Sequence, residues 1–283
     1  MLQDLPYGRL ENEFRNLTPG PEDIVICFQN QQILLRQGTS VFPQFPEVKA
    51  WSENWKSWYA DGFRYVFRLQ EKTYFLWLGD MEPGEYGEYS FVPVRSLREA
   101  LPKEQYYAAM TAWHLYVWYK NNRFCGSCGS KTVHDTAERM LRCESCGNMI
   151  FPRISPAVIV GITDGDRLLM SKYAGRGFTR YALIAGYTEI GETMEQTVQR
   201  EVMEEVGLKV KNVRYYKSQP WGIAGNLQIG YFCDLDGDDT VRLDENELSE
   251  ANWYDRHDLP AKDDGISLTR EMIRIFSEGR EPK

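Results

Sequence analysis

The sequence predicts an α+β chain whose C-terminal half is an α-β-α sandwich, preceded by a small cysteine-stapled ribbon and a smaller β-rich domain. Three observations carry that expectation. Residues 181–208 read as a strand, a glycine loop and a helix. Cys125, Cys128, Cys143 and Cys146 form two C-x-x-C pairs. Residues 1–100 alternate short runs of β-branched and aromatic residues with polar turns. At 283 residues the chain has room for two domains and a small insert. The expected boundaries are 1–100 for the β-rich domain, 101–121 for a linking helix, 122–152 for the ribbon and 153–283 for the sandwich.

In the first domain, residues 24–28 (IVICF) and 33–36 (ILLR) flank a polar Gln-Asn-Gln-Gln turn, a hairpin pattern. Residues 65–67 and 74–78 repeat it across 70–73. The Trp and Tyr residues here read as core or interface. Met110, Trp113, Val117 and Trp118 lie at helical spacing within 104–121. The two cysteine pairs follow, each closed by a glycine, Gly129 and Gly147, with fourteen residues between them. Tetrahedral Zn²⁺ takes four thiolates, and two knuckles supply two each. All four positions are then filled, so the predicted zinc is structural; redox pairs and disulfides are the competing readings. Polar residues 131–142 suit a small hairpin. Cys27 and Cys233 lie in apolar stretches and read as small core residues.

The sandwich opens with a strand at 157–161, a turn at 163–166 and a paired strand at 168–170. A loop over 174–180 leads to a strand at 181–185, a loop beginning at Gly186, and a helix over 193–206. Thr193 and Gln196 form a capping box, and Gly207 suits the residue just past the helix. Further strands are expected at 213–216, 227–233 and 251–254, and a last helix at 269–278.

A net charge of -8 and a pI near 5.1 argue against a generic binder of nucleic acid or anionic membranes. No apolar run reaches about 18 residues, and the N-terminus lacks a basic segment followed by an apolar core. The expected location is the cytoplasm, with no membrane partner.

Glu201, Glu204 and Glu205 stand at i, i+3 and i+4 and share one helix face. Three carboxylates there repel one another, and they crowd the end of the helix where the dipole disfavours anions. A solvated acidic face is the plain reading. A cation is the chemical one: Mg²⁺ or Mn²⁺ takes oxygen ligands, neutralises a diphosphate and activates water for attack at phosphorus.

The frame around those residues decides between the two. The segment GYTEIGETMEQTVQREVMEEVGL, 186–208, resembles the full Nudix signature, with Gly186, Glu192, Arg200, Glu201, Glu204, Glu205 and Gly207 at its fixed positions. Such a match implies the Nudix fold and an Arg200–Glu192 pair holding the loop to the helix. With the ribbon before it, Ser218-Gln219-Pro220-Trp221 after it and the segment EANWY at 250–254, the chain is similar to the NADH pyrophosphatase family over about residues 122–280. The resemblance implies hydrolysis of NAD(H) to nicotinamide mononucleotide and AMP, by a homodimer with sites at the subunit interface. Some members remove NAD caps from RNA. Carried over by position, Glu201, Glu204 and Glu205 bind the catalytic metals, with Glu204 or Glu205 favoured as base, and Glu247 is a further metal ligand. Tyr187 and Phe151 are aromatics at the substrate, Gln219 and Trp221 fall in the specificity segment, and Ser267 to Thr269 lines the nicotinamide end. His114, His134 and His257 receive no role. One departure stands out: the family hallmark continues Pro-Phe-Pro-x-Ser after Trp221, and this chain continues Gly222-Ile-Ala-Gly-Asn226. NADH, NAD, ADP-ribose and NAD-capped RNA all remain candidate substrates, and a non-enzymatic ligand sensor is the reading from another class.

Overall fold

The structure is a computed structural model. It describes residues 1–6, 8–82, 84–175, 180–261 and 263–283, so the expected loop at 174–180 lies mostly outside the described residues. The chain forms two compact units: Asp4–Arg153 with Gly222–Ala224, and Met1–Gln3 with Ile154–Trp221 and Gly225–Lys283.

In the unit built on Asp4–Arg153, Phe63–Leu69 and Lys72–Trp77 pair antiparallel across a tight turn. The expected single strand at 24–28 is instead divided. Ile24–Ile26 pairs parallel with 74–76, while Phe28–Gln29 turns back on Gln32–Arg36 in a second sheet. The turn between them holds Asn30 and Gln31 at φ 49° and 62°, the left-handed pair that a two-residue hairpin needs. Aromatic rings fill the core: Phe45 meets Phe63 edge-on at 5.0 Å, and Trp55 meets Trp77 at 5.4 Å. The expected linking helix spans Lys103–Asn121. The ribbon carries three short strands, Val133–His134, Leu141–Arg142 and Met149–Ile150, one more than the expected hairpin.

The other unit is a six-stranded mixed sheet between two helices. Its elements are β1 (Ser155–Asp164), β2 (Arg167–Tyr173), β3 (Ile184–Tyr187), α1 (Met194–Val206), β4 (Val210–Trp221), β5 (Asn226–Leu235), β6 (Leu248–Asp255) and α2 (Leu268–Ser277). The sheet order is β4-β5-β1-β2-β6, with β3 pairing β1. Only the β1–β5 pair is parallel. Alternation along β1 divides the core between its two faces. Val158, Val160 and Ile162 pack with Val198, Val202 and Val206 of α1. Ile159 packs with Phe232 of β5 and with Leu268, Met272, Ile273 and Phe276 of α2. Each of these buried side chains contributes about 1.5–3 kcal/mol of transfer free energy. The arrangement is the α-β-α sandwich that the sequence predicts.

The strand expected at 181–185 is displaced toward the C-terminus. Ala182 only bridges Ser171, and regular pairing with β1 begins at Ile184. Gly186 is therefore a strand residue, and the loop proper starts at Thr188.

Candidate active site and zinc centre

Local signals place the acidic face. Thr193 Oγ1 accepts from Gln196 N at 3.2 Å, and Gln196 Oε1 accepts from Thr193 N at 2.8 Å. Gly207, at φ 68°, ends the helix and donates to Met203 O at 3.1 Å. With both ends fixed, Glu201, Glu204 and Glu205 fall in the last two turns of α1.

Arg200 ties this face to the loop before it. Its Nε and Nη2 donate to the two oxygens of Glu192 at 2.6 and 2.9 Å, the expected pair in bidentate form. Nη2 also donates to Tyr187 O at 2.9 Å. Nη1 bridges Glu201 Oε1 at 2.8 Å and Glu204 Oε2 at 2.9 Å. Glu192 further accepts from Glu189 N and Thr197 Oγ1. The Arg200 guanidinium, helped by these donors, pulls the Glu192 carboxyl down to about 2.

Glu201 and Glu205 are buried, 9% and 2% exposed, while Glu204 and Glu247 are exposed. Burial pushes the Glu201 carboxyl above its ordinary range; Arg200 opposes that, and the charges of Glu204 and Glu247 reinforce it. Glu247 thus shares the electrostatic field of the helix face although it comes from the segment before β6. Gly186 of β3 lets Glu201 lie against the strand: a Cβ there would stand 1.9–2.1 Å from its carboxyl atoms. Among the described residues no carboxylate trio brings its oxygens within 4.8 Å of one another; Arg200 stands between Glu201 and Glu204. The donors nevertheless fit a hard divalent cation. All are carboxylate oxygens, the charges of Glu204 and Glu247 add to the burial that raises the Glu201 carboxyl, and the glycine at 186 leaves room for Glu201.

The opposite face of the sheet carries the other expected residues of this unit. Tyr187 is 52% exposed, and its hydroxyl lies 3.5 Å from Asn226 Nδ2. Asn226 is the register partner of Trp221. These three side chains therefore share one end of the sheet; Asn226 was not anticipated, because it lies in the segment that departs from the family hallmark. Ser267 is the N-cap residue of α2, and Thr269 is in its first turn. Gln219, expected at the substrate, is fully buried, and both ends of its amide bond the main chain of 266–268. Glu250, in the EANWY segment, is held by Lys172 at 2.8 Å and by Tyr181 and Tyr254 at 3.2 Å each. A hollow of about 630 Å³ lined by Thr163, Asn212, Arg214, Asp234 and Glu281 lies at the far ends of β1 and β5 and holds none of the expected site residues.

In the unit built on Asp4–Arg153, Phe151 is 53% exposed. The four ribbon cysteines gather their sulfurs within 4.8 Å, with Cys125–Cys146 at 3.6 Å and Cys128–Cys143 at 3.4 Å. Tetrahedral zinc with bonds of about 2.3 Å spaces its sulfurs about 3.8 Å apart, so the set fits Zn²⁺ and closes its coordination. The two knuckles are the same turn: Gly129 and Gly147, at φ 75° and 77°, donate to Cys125 O and Cys143 O. The N–H of Ser127 and the amide of Asn148 draw the Cys125 thiol down to about 6, toward the thiolate a zinc needs. Within the same unit Gly222 lies against the Lys103–Asn121 helix, where a Cβ would stand 2.1 Å from Met110 O. A proline, which the hallmark has at this position, does not fit there. His114 Nε2 bonds Arg153 O at 2.8 Å, and His134 packs between the rings of Phe14 and Tyr119, so each has a structural setting.

Comparison with known proteins finds the same two signatures in the sequence. The NUDIX domain family matches residues 153–275, and the NADH pyrophosphatase zinc ribbon domain matches residues 120–151. The NAD-capped RNA hydrolase NudC of Chromobacterium violaceum is 38% identical over 197 residues, 70% of this chain and 73% of that protein. Its namesake in Haemophilus influenzae is 33% identical over 213 residues, 73% and 78% of the two chains. A solved NUDIX hydrolase from Nitrosomonas europaea aligns over 55% of this chain and 91% of its own, at 20% identity and a TM-score of 0.48. With its ribbon cysteines in place and its signature helix stapled by Arg200, this chain belongs to the zinc-ribbon-containing NADH pyrophosphatase family of Nudix hydrolases.

Proposed function

We propose that the chain hydrolyses the diphosphate bond of NAD(H), giving nicotinamide mononucleotide, reduced or oxidised, and AMP. The observation that carries this reading is the glutamate face of α1, held by Arg200 and admitted to the sheet by Gly186. Glu201, Glu204, Glu205 and Glu247 would hold Mg²⁺ or Mn²⁺. A divalent cation bound there supplies neutralisation of the diphosphate charge and a lowered pKa for water. The chain's own part is to keep the carboxylates in position and to accept the proton of the attacking water at one of them. Water oxygen joins one phosphorus, the bridging P–O bond breaks, and the other phosphate leaves as a monophosphate. Tyr187 and Trp221 offer aromatic surfaces for the bases, and Ser267 to Thr269 faces the nicotinamide end.

A second substrate is favoured by the names of the relatives: NAD-capped RNA, which carries the same bond and would yield 5′-monophosphate RNA. ADP-ribose is the third candidate, because the glycines after Trp221 replace the rigid part of the hallmark. We further propose a cytoplasmic homodimer, with residues 153–283 as the hydrolytic domain. Among the described residues no helix is long and apolar enough to cross a membrane. The deciding experiment incubates the protein with Mg²⁺ or Mn²⁺ and, separately, NADH, NAD, ADP-ribose and NAD-capped RNA, and identifies products by chromatography and mass. AMP with nicotinamide mononucleotide, formed fastest from NADH, is the expected result. Intact NADH beside cleaved ADP-ribose would move the specificity to ADP-ribose.

A further inference from the structure

Gln219 lies in the specificity segment, yet none of its side chain reaches solvent. Its Nε2 donates to Ile266 O at 2.7 Å and to Gln3 Oε1 at 3.2 Å. Its Oε1 accepts from Leu268 N at 2.7 Å. That N–H is the first of α2, and Ser267, the N-cap residue, makes no side-chain cap of its own. The helix is thus capped from across the sheet, by a residue 49 positions away in sequence. Gln3 completes the brace: its Nε2 donates to Ser218 O at 2.9 Å, and Leu2 N donates to Ile266 O at 2.9 Å. Asp264 Oδ1 holds Ile266 N and Ser267 N, each at 2.9 Å, from the other side. The register row runs Gln219–Gln228–Ala157–Tyr187, so Gln219 lies three strand spacings, about 14 Å, from Tyr187 on the same face of the sheet.

We propose that Gln219, braced by Gln3, is a positioning residue: it fixes the 266–269 segment and so selects for the nicotinamide-bearing half of the substrate without touching it. This rests on the reading that Ser267 to Thr269 faces the nicotinamide. A buried amide with both ends bonded transmits position well, because any shift of the segment leaves a polar group unmet. It also explains how selection at this end can persist in a chain whose segment after Trp221 has lost its prolines.

The test compares kcat/KM for NADH and for ADP-ribose, which shares the AMP half and the diphosphate but lacks nicotinamide. Gln219→Met keeps the length and loses all three bonds; Gln3→Ala loses only the brace. The expected result is a NADH to ADP-ribose ratio at least fivefold lower in Gln219→Met, carried mainly by KM, and a smaller fall of the same sign in Gln3→Ala. Equal losses on both substrates, in protein that still unfolds cooperatively, would overturn the proposal. If Gln219→Met does not fold, Gln3→Ala decides alone, and an unchanged ratio there overturns it. Wild-type protein that leaves NADH intact instead removes the functional reading beneath it, and that outcome is visible before any variant is made.

Discussion

Replacing Gly186 by alanine should separate catalysis from folding at this site. The added Cβ would lie 1.9–2.1 Å from the Glu201 carboxyl, where ordinary contact begins at 3.4 Å. The carboxyl must therefore retreat by about 1.3 Å or more. It cannot retreat into water freely, because Glu201 is buried and its Oε1 is held by Arg200 at 2.8 Å. The displaced atoms are nevertheless the end of a side chain, not backbone, and Gly186 is not among the glycines at positive φ. Alanine is thus compatible with the strand and gains about 0.4–1 kcal/mol from the unfolded chain, against about 1–3 kcal/mol of overpacking. Net destabilisation should lie between about 0 and 2.6 kcal/mol by these figures. Catalysis is less forgiving: misplacing a reacting group by about 1 Å costs on the order of 10²-fold, or about 2.7 kcal/mol of barrier. The assay is kcat/KM on NADH with Mg²⁺, beside Mn²⁺ binding by calorimetry and thermal unfolding. A hundredfold loss of activity with weakened Mn²⁺ binding and a cooperative transition is expected. Activity within threefold of wild type would refute the claim that Glu201 works where Gly186 admits it.

Three more outcomes follow from the same geometry. Glu204→Gln, at an exposed position on α1, should abolish turnover and leave the melting temperature within a few degrees of wild type; surviving activity sinks the carboxylate-face account. Removing zinc with a chelator, or replacing Cys143 by alanine, should destabilise the Asp4–Arg153 unit, since the ribbon strands are only two residues long each and depend on the metal for closure; unchanged unfolding would show that the thiols hold no structural ion. The third concerns His134, which burial, with Arg64 and Arg139 nearby, lowers from 6.5 to about 4, against the carbonyl and carboxylate of Asp135. Its neutral form accepts from Tyr119 Oη at 2.7 Å while Nδ1 donates to Asp135 O. A depressed histidine contributes stability that is complete above pH 6.5 and is lost as the pH falls toward 4. The loss is at most about 3 kcal/mol, and less after screening at its solvent edge. His134→Phe should flatten that slope in denaturant titrations; a slope equal to that of wild type would rule the histidine out.

What the sequence could reveal tracks how local the governing interaction is. The limits of α1 were legible because the capping box, the closing glycine and the Arg200–Glu192 staple all act within eight residues. The zinc knuckles were legible for the same reason, each turn being closed by its own glycine. Residues 24–28 were misread as one strand because the partners of Ile24–Ile26 lie 50 positions away, and periodicity carries no information about which sheet a residue joins. Gly186 presents a subtler limit. In sequence it signals a turn; in the fold it is a strand residue whose missing side chain makes room for a carboxylate 15 positions later. The chemistry of that glycine is steric, not conformational, and only the packed sheet distinguishes the two. Gln219 is the sharpest case. A polar residue beside an aromatic one in a motif reads as a ligand contact, because exposed polar groups are the ones that meet substrates. Here the amide is interior and its partners are the main-chain atoms of a distant helix end. If the 266–269 segment lines the nicotinamide end as proposed, substitutions at Gln219 will change which substrate is preferred before they change how the bond is broken, because the amide holds that segment's main chain and stands apart from the glutamate face.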